Sequence, residues 1–156
     1  MPVPETHIFL LSGPIGSGKT TSIGNWAAGR KDVNGILSPV IGGRRHFRDI
    51  RSGETFPMEA AEGEESVLEV GRFRFSRTAF ERAIQILRTA LHSPGWLVID
   101  EIGPLEMRGE GFHDIVKEIL AAGRYPLLVV LREGLEEDWH KVFGAKARLI
   151  QDITSL

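Results

Sequence analysis

Near its start the chain reads Gly13-Pro14-Ile15-Gly16-Ser17-Gly18-Lys19-Thr20, which matches the pattern G-x-x-x-x-G-K-[ST]. Residues 7–11 before it predict a short buried strand, and residues 21–28 after it predict a helix. A glycine-rich loop between a strand and a helix is the setting in which this pattern binds phosphate groups. An ordinary glycine-rich turn is the alternative, and the flanking strand and helix make it the weaker one.

Each part of this loop has a physical role in holding a nucleoside triphosphate. The backbone N–H groups of residues 15–21 are expected to converge on the phosphates at the positive end of the helix dipole. Lys19 is expected to contact the β- and γ-phosphates and to stabilise the transferring phosphoryl group, and the Thr20 hydroxyl to coordinate Mg²⁺. The predicted nucleotide-binding residues of the loop are Gly13, Pro14, Ile15, Gly16, Ser17, Gly18, Lys19, Thr20 and Thr21.

The composition fits a single domain over residues 1–156. A chain of 156 residues with 42% hydrophobic composition is long enough to bury one core. Its net charge of −2 gives no global reason to bind nucleic acid, and the absence of cysteine excludes disulfides and thiol nucleophiles. No run approaches the ~20 apolar residues of a membrane span, and the first residues lack a signal-peptide pattern. We therefore expect a cytoplasmic protein with no membrane association.

Beyond the loop, the chain alternates between segments of strand and helix character. Strands are expected at residues 33–41, 44–50, 67–75, 96–99, 126–131 and 147–153. Helices are expected at residues 112–120 and 135–143, and between a capping box at residues 78–81 and Pro94. Gly42-Gly43 predicts a hairpin turn. The glutamate-rich segment 52–65 is the part of the chain that most resembles a linker.

This alternation predicts an α/β fold with a mainly parallel central sheet, helices on both faces and a β-hairpin insertion. Ligands of such sheets bind at the carboxyl ends of the strands. Both the loop that begins at Gly13 and the acidic pair Asp100-Glu101, which follows an apolar run, are expected at that edge.

Asp100 and Glu101 have the residue types that a metal-dependent phosphoryl-transfer site needs on a second strand. A carboxylate is a suitable hard ligand for Mg²⁺, which predicts Asp100 as a metal ligand together with Thr20. Glu101, one residue farther out, is predicted to orient or deprotonate an attacking water. The alternative is that the pair merely ends a strand at the surface, and the intact loop elsewhere in the chain favours the catalytic interpretation.

On these motifs the chain resembles the small nucleoside-triphosphatase family often called cancer-related nucleoside-triphosphatases. The matching stretches are residues 11–21, 35–53, 70–73 and 98–106, and the most specific is Asp100-Glu101-Ile102-Gly103 with Glu106 behind it. The resemblance implies a three-layer P-loop NTPase fold that hydrolyses ATP, GTP and other nucleoside triphosphates, with some members described as nucleotide kinases. It also implies that residues 97–104 flank the nucleotide, which adds Asp100 and Gly103 to the predicted contacts.

An arginine near the terminal phosphate is the remaining element that such chemistry uses. By position we favour Arg132, at the end of a predicted strand, and Arg108, after the acidic pair. For the other arginines, solvated charges or structural ion pairs are the better interpretation. The Arg44–Arg51 hairpin carries four arginines, but with few aromatics nearby nucleic-acid binding is the weaker prediction for it, and a lid over the nucleotide is at least as good.

The leading functional prediction is Mg²⁺-dependent hydrolysis of ATP or GTP with broad base tolerance, with Lys19 and Glu101 as catalytic residues. A nucleotide or nucleoside kinase is the alternative enzyme, in which an acceptor hydroxyl replaces water. A regulatory or RNA-associated switch driven by nucleoside triphosphate is the alternative from another class.

Overall fold

The computed structural model describes residues 7–14, 16–124 and 126–156, and within them the chain forms ten strands and five α-helices. The strands are β1 Ile8–Gly13, β2 Val33–Leu37, β3 Val40–Ile41, β4 Arg44–Asp49, β5 Thr55–Pro57, β6 Val67–Val70, β7 Phe73–Ser76, β8 Trp96–Ile102, β9 Leu127–Arg132 and β10 Arg148–Ile150. The helices are α1 Lys19–Ala27, α2 Arg77–Ala90, α3 Pro104–Met107, α4 His113–Ala121 and α5 Glu136–Phe143, and a 3₁₀ turn follows at Ile153–Ser155.

The central sheet has eight strands in the order β10-β1-β9-β8-β2-β4-β3, with β5 paired to β4. The first five strands in this order are parallel, and the β3, β4 and β5 strands extend the sheet with antiparallel pairings. The prediction of a mainly parallel sheet is therefore confirmed. The strand β9 lies between β1 and β8, so the phosphate-loop strand and the acidic strand are separated by one strand.

The sheet is covered on both faces, and its central strand β9 is apolar at each position from Leu127 to Leu131. In β9, Leu127, Val129 and Leu131 belong to one hydrophobic cluster, and Leu128 and Val130 belong to the other. The first cluster includes residues of α2, α4 and α5, and the second includes Ile23 and Ala27 of α1. Successive side chains of a strand point to opposite faces, so this division produces the three layers that the alternation predicts.

Two glycines form the predicted hairpin turn. Gly42 and Gly43 have φ values of 59° and 77°, a conformation that matches the two-residue turns of β-hairpins, and they join β3 to β4. The predicted strand at residues 33–41 is interrupted, however, since β2 ends at Leu37 and β3 begins at Val40.

The segment 67–75 was predicted as a single strand, and this prediction is wrong. It forms a separate two-stranded hairpin, with β6 and β7 joined through Gly71 at φ 56°. The acidic segment 52–65 also has more structure than a linker, because β5 lies in it and its Phe56 and Met58 are buried in the core.

The start of α2 differs from the predicted capping box at residues 78–81. Ser76 is the N-cap residue, and its hydroxyl oxygen accepts a hydrogen bond from the backbone N–H of Ala79 at 3.1 Å. The short helix α3 and its proline at the first helical position were not predicted, because four residues give no periodic pattern. No helix in the described parts of the chain has both the length and the apolar character needed to cross a bilayer.

Gly35 allows β2 to pair closely with β8, which predicts a strong effect of Gly35→Ala. Its φ is +131°, and a Cβ atom added there would lie 2.1 Å from the carbonyl oxygen of Val98. We expect a loss of more than about 4 kcal/mol in the free energy of unfolding, measured by urea denaturation. The matched control is Gly53→Ala, which also has a positive φ but no atom near the added Cβ, and which should cost about 1–2 kcal/mol. Equal losses in the two variants would contradict this account.

Candidate functional site

The loop predicted to bind phosphate joins the end of β1 to the start of α1. Gly16 and Gly18 have φ values of 78° and 81°, conformations that favour glycine, and Gly18 is the N-cap residue of α1. The Lys19 ammonium lies inside the loop, where it donates to the carbonyl oxygens of Gly13 at 2.7 Å and Pro14 at 3.0 Å. The predicted contact Ile15 lies outside the described residues. Residues 16–21, which include Lys19 and the start of α1, therefore line one cleft at the edge of the sheet.

A hydrogen bond joins this loop to the acidic strand. The Thr20 hydroxyl donates to Asp100 Oδ2 at 2.7 Å, and the backbone N–H of Ser38 donates to the same oxygen at 3.1 Å. The Asp100 side chain is buried, and burial raises its pKa above the usual value, which the two hydrogen bonds partly offset. Two predicted metal ligands, from segments eighty residues apart, are thus direct neighbours.

Glu101 lies beside Asp100 but makes a different contact. One oxygen of its half-buried carboxylate accepts a hydrogen bond from Arg132 Nη2 at 3.1 Å. The register of β8 against β9 shifts between Asp100 and Ile102, and the Asp100–Glu101 peptide bond is cis. The two acidic side chains differ in environment, with Asp100 facing Thr20 and Glu101 facing Arg132.

Glu106 is a buried carboxylate that holds the segment after β8 in place. Its two oxygens accept hydrogen bonds from the backbone N–H groups of Gly103 at 2.8 Å and Phe112 at 2.9 Å. Burial raises the pKa of Glu106 to about 7, against the opposing effect of those hydrogen bonds. The sequence indicated Glu106 only as part of the family resemblance, and its contact with Phe112 is a tertiary feature that no local pattern contains.

Two cavities of opposite character flank the loop. The main cleft, of about 600 Å³, is lined by the helix side of the loop and by Asp100, Glu101, Arg132, Arg45 and Arg48. The acid-lined cavity, of about 420 Å³, lies on the other side and is lined by Gly13, Pro14, Ser17, Glu133, Glu136 and Asp152. Ser17 and Lys19 contribute to both linings, so the loop forms a wall of each cavity.

The remaining predicted residues lie at different distances from this cleft. Thr21 lines it, whereas Gly103 lies behind Glu101 and lines a smaller adjoining cavity. Arg108 lies outside the lining of both cavities, because its guanidinium donates to Glu110 and to the backbone oxygen of Glu69 on β6.

The basic hairpin is divided between several environments. Arg45 and Arg48 line the main cleft, so this part of the hairpin borders the phosphate loop and the acidic pair. Arg44 donates to the backbone oxygen of Ala60, and Arg51 donates to the buried side chain of Asn34. Sequence reasoning missed Ser38, because its backbone N–H donates to Asp100 and a main-chain contact follows no residue pattern.

The buried carboxyl of Glu106 predicts a pH dependence of stability. Its folded pKa of about 7 lies above the ordinary glutamate value of 4.5, so the folded state binds the proton more tightly, and stability falls as pH rises between these two values. We expect wild-type protein to lose about 3 kcal/mol relative to Glu106→Gln between pH 4.5 and pH 8, measured by urea denaturation. Glu110→Gln, at a partly exposed residue nearby that pairs with Arg108, is the control. A difference between wild type and Glu106→Gln that stays constant with pH would contradict this assignment.

Comparisons with known proteins agree with this architecture. The family model described as NTPase matches residues 7–154. The Nucleoside-triphosphatase THEP1 of Methanothermobacter thermautotrophicus is 31% identical over 138 residues, which is 82% of this chain and 78% of that protein.

Two solved structures have a similar fold. The solution structure of a human cancer-related nucleoside triphosphatase is 27% identical, with a TM-score of 0.68 over 94% of this chain and 88% of that one. The crystal structure of THEP1 from Aquifex aeolicus, at 23% identity and a TM-score of 0.72, covers 92% of this chain and 88% of that one and supports the fold alone. With a family model over nearly its whole length and a relative above 30% identity, the chain belongs to the NTPase family.

Proposed function

We propose that this protein hydrolyses nucleoside triphosphates to the diphosphate and inorganic phosphate, with Mg²⁺ as cofactor. The observation that carries the proposal is the 2.7 Å contact between Thr20 Oγ1 and Asp100 Oδ2, because it unites the phosphate loop with the acidic strand at one point of the cleft. The names of the family and of the relatives, all nucleoside-triphosphatases, support the same activity.

The residues at this contact suit a magnesium ion. A hydroxyl oxygen and a carboxylate oxygen are hard ligands of the kind that Mg²⁺ prefers, and the ion commonly completes its shell with water and substrate phosphates. Thr20 and Asp100 would hold the ion, and when bound it would neutralise charge on the β- and γ-phosphates. The Lys19 ammonium and the loop amides would bind the same phosphates from the other side.

Glu101 is the proposed residue that positions the attacking water. Its carboxylate lines the main cleft, beside Asp100 and within hydrogen-bond distance of Arg132. A glutamate in this position can accept a proton from water as the water oxygen approaches the terminal phosphorus. Asp100 is unsuited to that role because Thr20 and Ser38 already donate to the oxygen that it presents to the loop.

We further propose that the phosphates occupy the main cleft and that the nucleoside lies toward the acid-lined cavity. Arginines line the first, whereas Glu133, Glu136 and Asp152 line the second and would repel a polyanion. Strong base discrimination requires desolvated polar groups that a wrong base leaves unpaired. Gln151 and Asp152 are exposed, and Leu149 is 50% exposed, so this cavity favours broad base tolerance.

Glu101→Gln tests this mechanism, because glutamine keeps the size of the side chain but cannot accept the proton. We expect kcat for Mg²⁺-dependent phosphate release to fall about 10²- to 10⁴-fold. The dissociation constant of a non-hydrolysable triphosphate analogue should change by no more than a few-fold.

Two further variants complete this experiment. Glu137→Gln, an exposed position of α5, is the matched control and should behave as wild type. Lys19→Ala defines the background rate. Wild-type phosphate release at the Lys19→Ala level would refute the proposed activity, and normal turnover in Glu101→Gln would refute the role of this residue alone.

A nucleotide or nucleoside kinase is the second candidate, and Arg45 and Arg48 favour it. Both are half-buried in the lining of the main cleft, and no carboxylate among the described residues forms an ion pair with either guanidinium. Such arginines suit the phosphate of an acceptor.

An assay with γ-labelled triphosphate separates the hydrolase from the kinase when nucleoside monophosphates or nucleosides are supplied as acceptors. For the hydrolase we expect the label in inorganic phosphate whichever acceptor is present. Label on the acceptor, with an acceptor-dependent rise in diphosphate, would establish the kinase.

A further inference from the structure

The strand order brings Arg132 to the point between the phosphate loop and the acidic pair. Strand β9 lies between β1 and β8, and Arg132 is its last residue. In the register with β1, Arg132 is opposite Gly13, the first residue of the loop. In the register with β8, Val130, two residues earlier, is opposite Asp100. Because neighbouring strands are about 4.8 Å apart, Arg132 is one strand from each half of the site.

Among the described residues, one polar contact holds the Arg132 side chain in the cleft. Its Nη2 donates to Glu101 Oε1 at 3.1 Å, and its Nε is buried without a hydrogen-bond acceptor in the described parts of the chain. The side chain is 29% exposed and contributes to the lining of the main cleft. A guanidinium has five N–H donors, so this contact leaves most of them available to an anion in the cleft.

The other arginines near the site are less well placed. Arg45 and Arg48 belong to β4, which is four strands from β1 in the sheet. The backbones of these two strands are therefore about 19 Å apart. Arg108 is engaged by Glu110 and by the backbone of β6. Arg132 is thus the arginine of the described cleft that lies nearest both to the loop and to the residue proposed to orient water.

We propose that Arg132 is the arginine, supplied by this chain itself, that stabilises the charge developing on the terminal phosphate during hydrolysis. This inference rests on the proposed function. The contact with Glu101 uses one donor of the guanidinium, and in the reaction the remaining donors bind the equatorial phosphate oxygens. Their charge grows in the transition state, so this contact lowers the barrier more than it strengthens substrate binding.

The reaction balances with Arg132 protonated throughout. The water oxygen forms a bond to the γ-phosphorus while the bond from that phosphorus to the β–γ bridging oxygen breaks. The water proton passes to the Glu101 carboxylate, and the diphosphate leaves with the electron pair of the broken bond. Arg132 donates hydrogen bonds and neither gains nor loses a proton, since guanidinium stays charged in proteins.

The test compares Arg132→Ala and Arg132→Lys with wild type, and uses Arg108→Ala as the matched arginine control. Three quantities are measured: kcat for phosphate release, the dissociation constant of a non-hydrolysable triphosphate analogue, and that of nucleoside diphosphate with aluminium fluoride and Mg²⁺, which mimics the transition state. The last two report binding and do not depend on turnover.

For Arg132→Ala we expect kcat to fall about 10³-fold or more, as for other arginines in this role. Affinity for the diphosphate–fluoride mimic should fall in parallel, while affinity for the triphosphate analogue stays within a few-fold. Arg132→Lys keeps the charge but loses the planar fork, and should lose at least about 10-fold in kcat. Arg108→Ala should match wild type in all three measurements.

Two results would overturn the inference. One is a kcat for either Arg132 variant within about three-fold of wild type, and the other is a loss of kcat that weaker binding of the triphosphate analogue fully explains. If Arg132→Ala does not fold, as judged by circular dichroism, the Arg132→Lys result decides. Failure of the proposed function is distinguishable, because wild type would then release phosphate no faster than Lys19→Ala.

Discussion

The hydrogen bond from Thr20 to Asp100 is the contact on which the site depends. It joins the first turn of α1 to the end of β8, and its 2.7 Å length fixes a hydroxyl and a carboxylate as neighbours at the mouth of the cleft. Neither residue could reach the other unless β1, β9 and β8 were aligned in parallel with their carboxyl ends at one edge. The sheet register is therefore the condition for any shared metal or phosphate at this point.

Three acidic groups around this contact are held by donors of different kinds. Asp100 receives a hydroxyl and a backbone N–H, Glu106 receives two backbone N–H groups, and Glu101 faces a guanidinium. Burial raises the pKa of both Asp100 and Glu106, so each is destabilised as an anion unless its partners stay in place. The charge of Arg132 beside Glu101 gives the third carboxylate a different environment, which suits the separate role proposed for it.

Local patterns predicted the loop, the parallel strands and the hairpin at Gly42-Gly43, because each depends on residues close in sequence. The sequence predictions were wrong at two places, where neighbouring residues favoured different local structures. Residues 67–75 contain enough apolar and aromatic residues for one strand, yet Gly71 turns the chain into a hairpin. Thr78 was the expected cap of α2, but Ser76 also has a suitable hydroxyl and lies where the chain leaves β7. Propensity alone does not separate such neighbours.

The sequence by itself determined which chemistry is available: a glycine-rich phosphate loop with Lys19 and Thr20, and an acidic pair after an apolar strand. These features are local, since backbone freedom, side-chain charge and hydroxyl groups belong to the residues themselves. Only the tertiary structure decided that β9 lies between the two halves of the site, and hence that Arg132, rather than Arg108, faces Glu101. Buried parallel strands are all short apolar runs, so the sequence of each one carries little information about which strand is its neighbour.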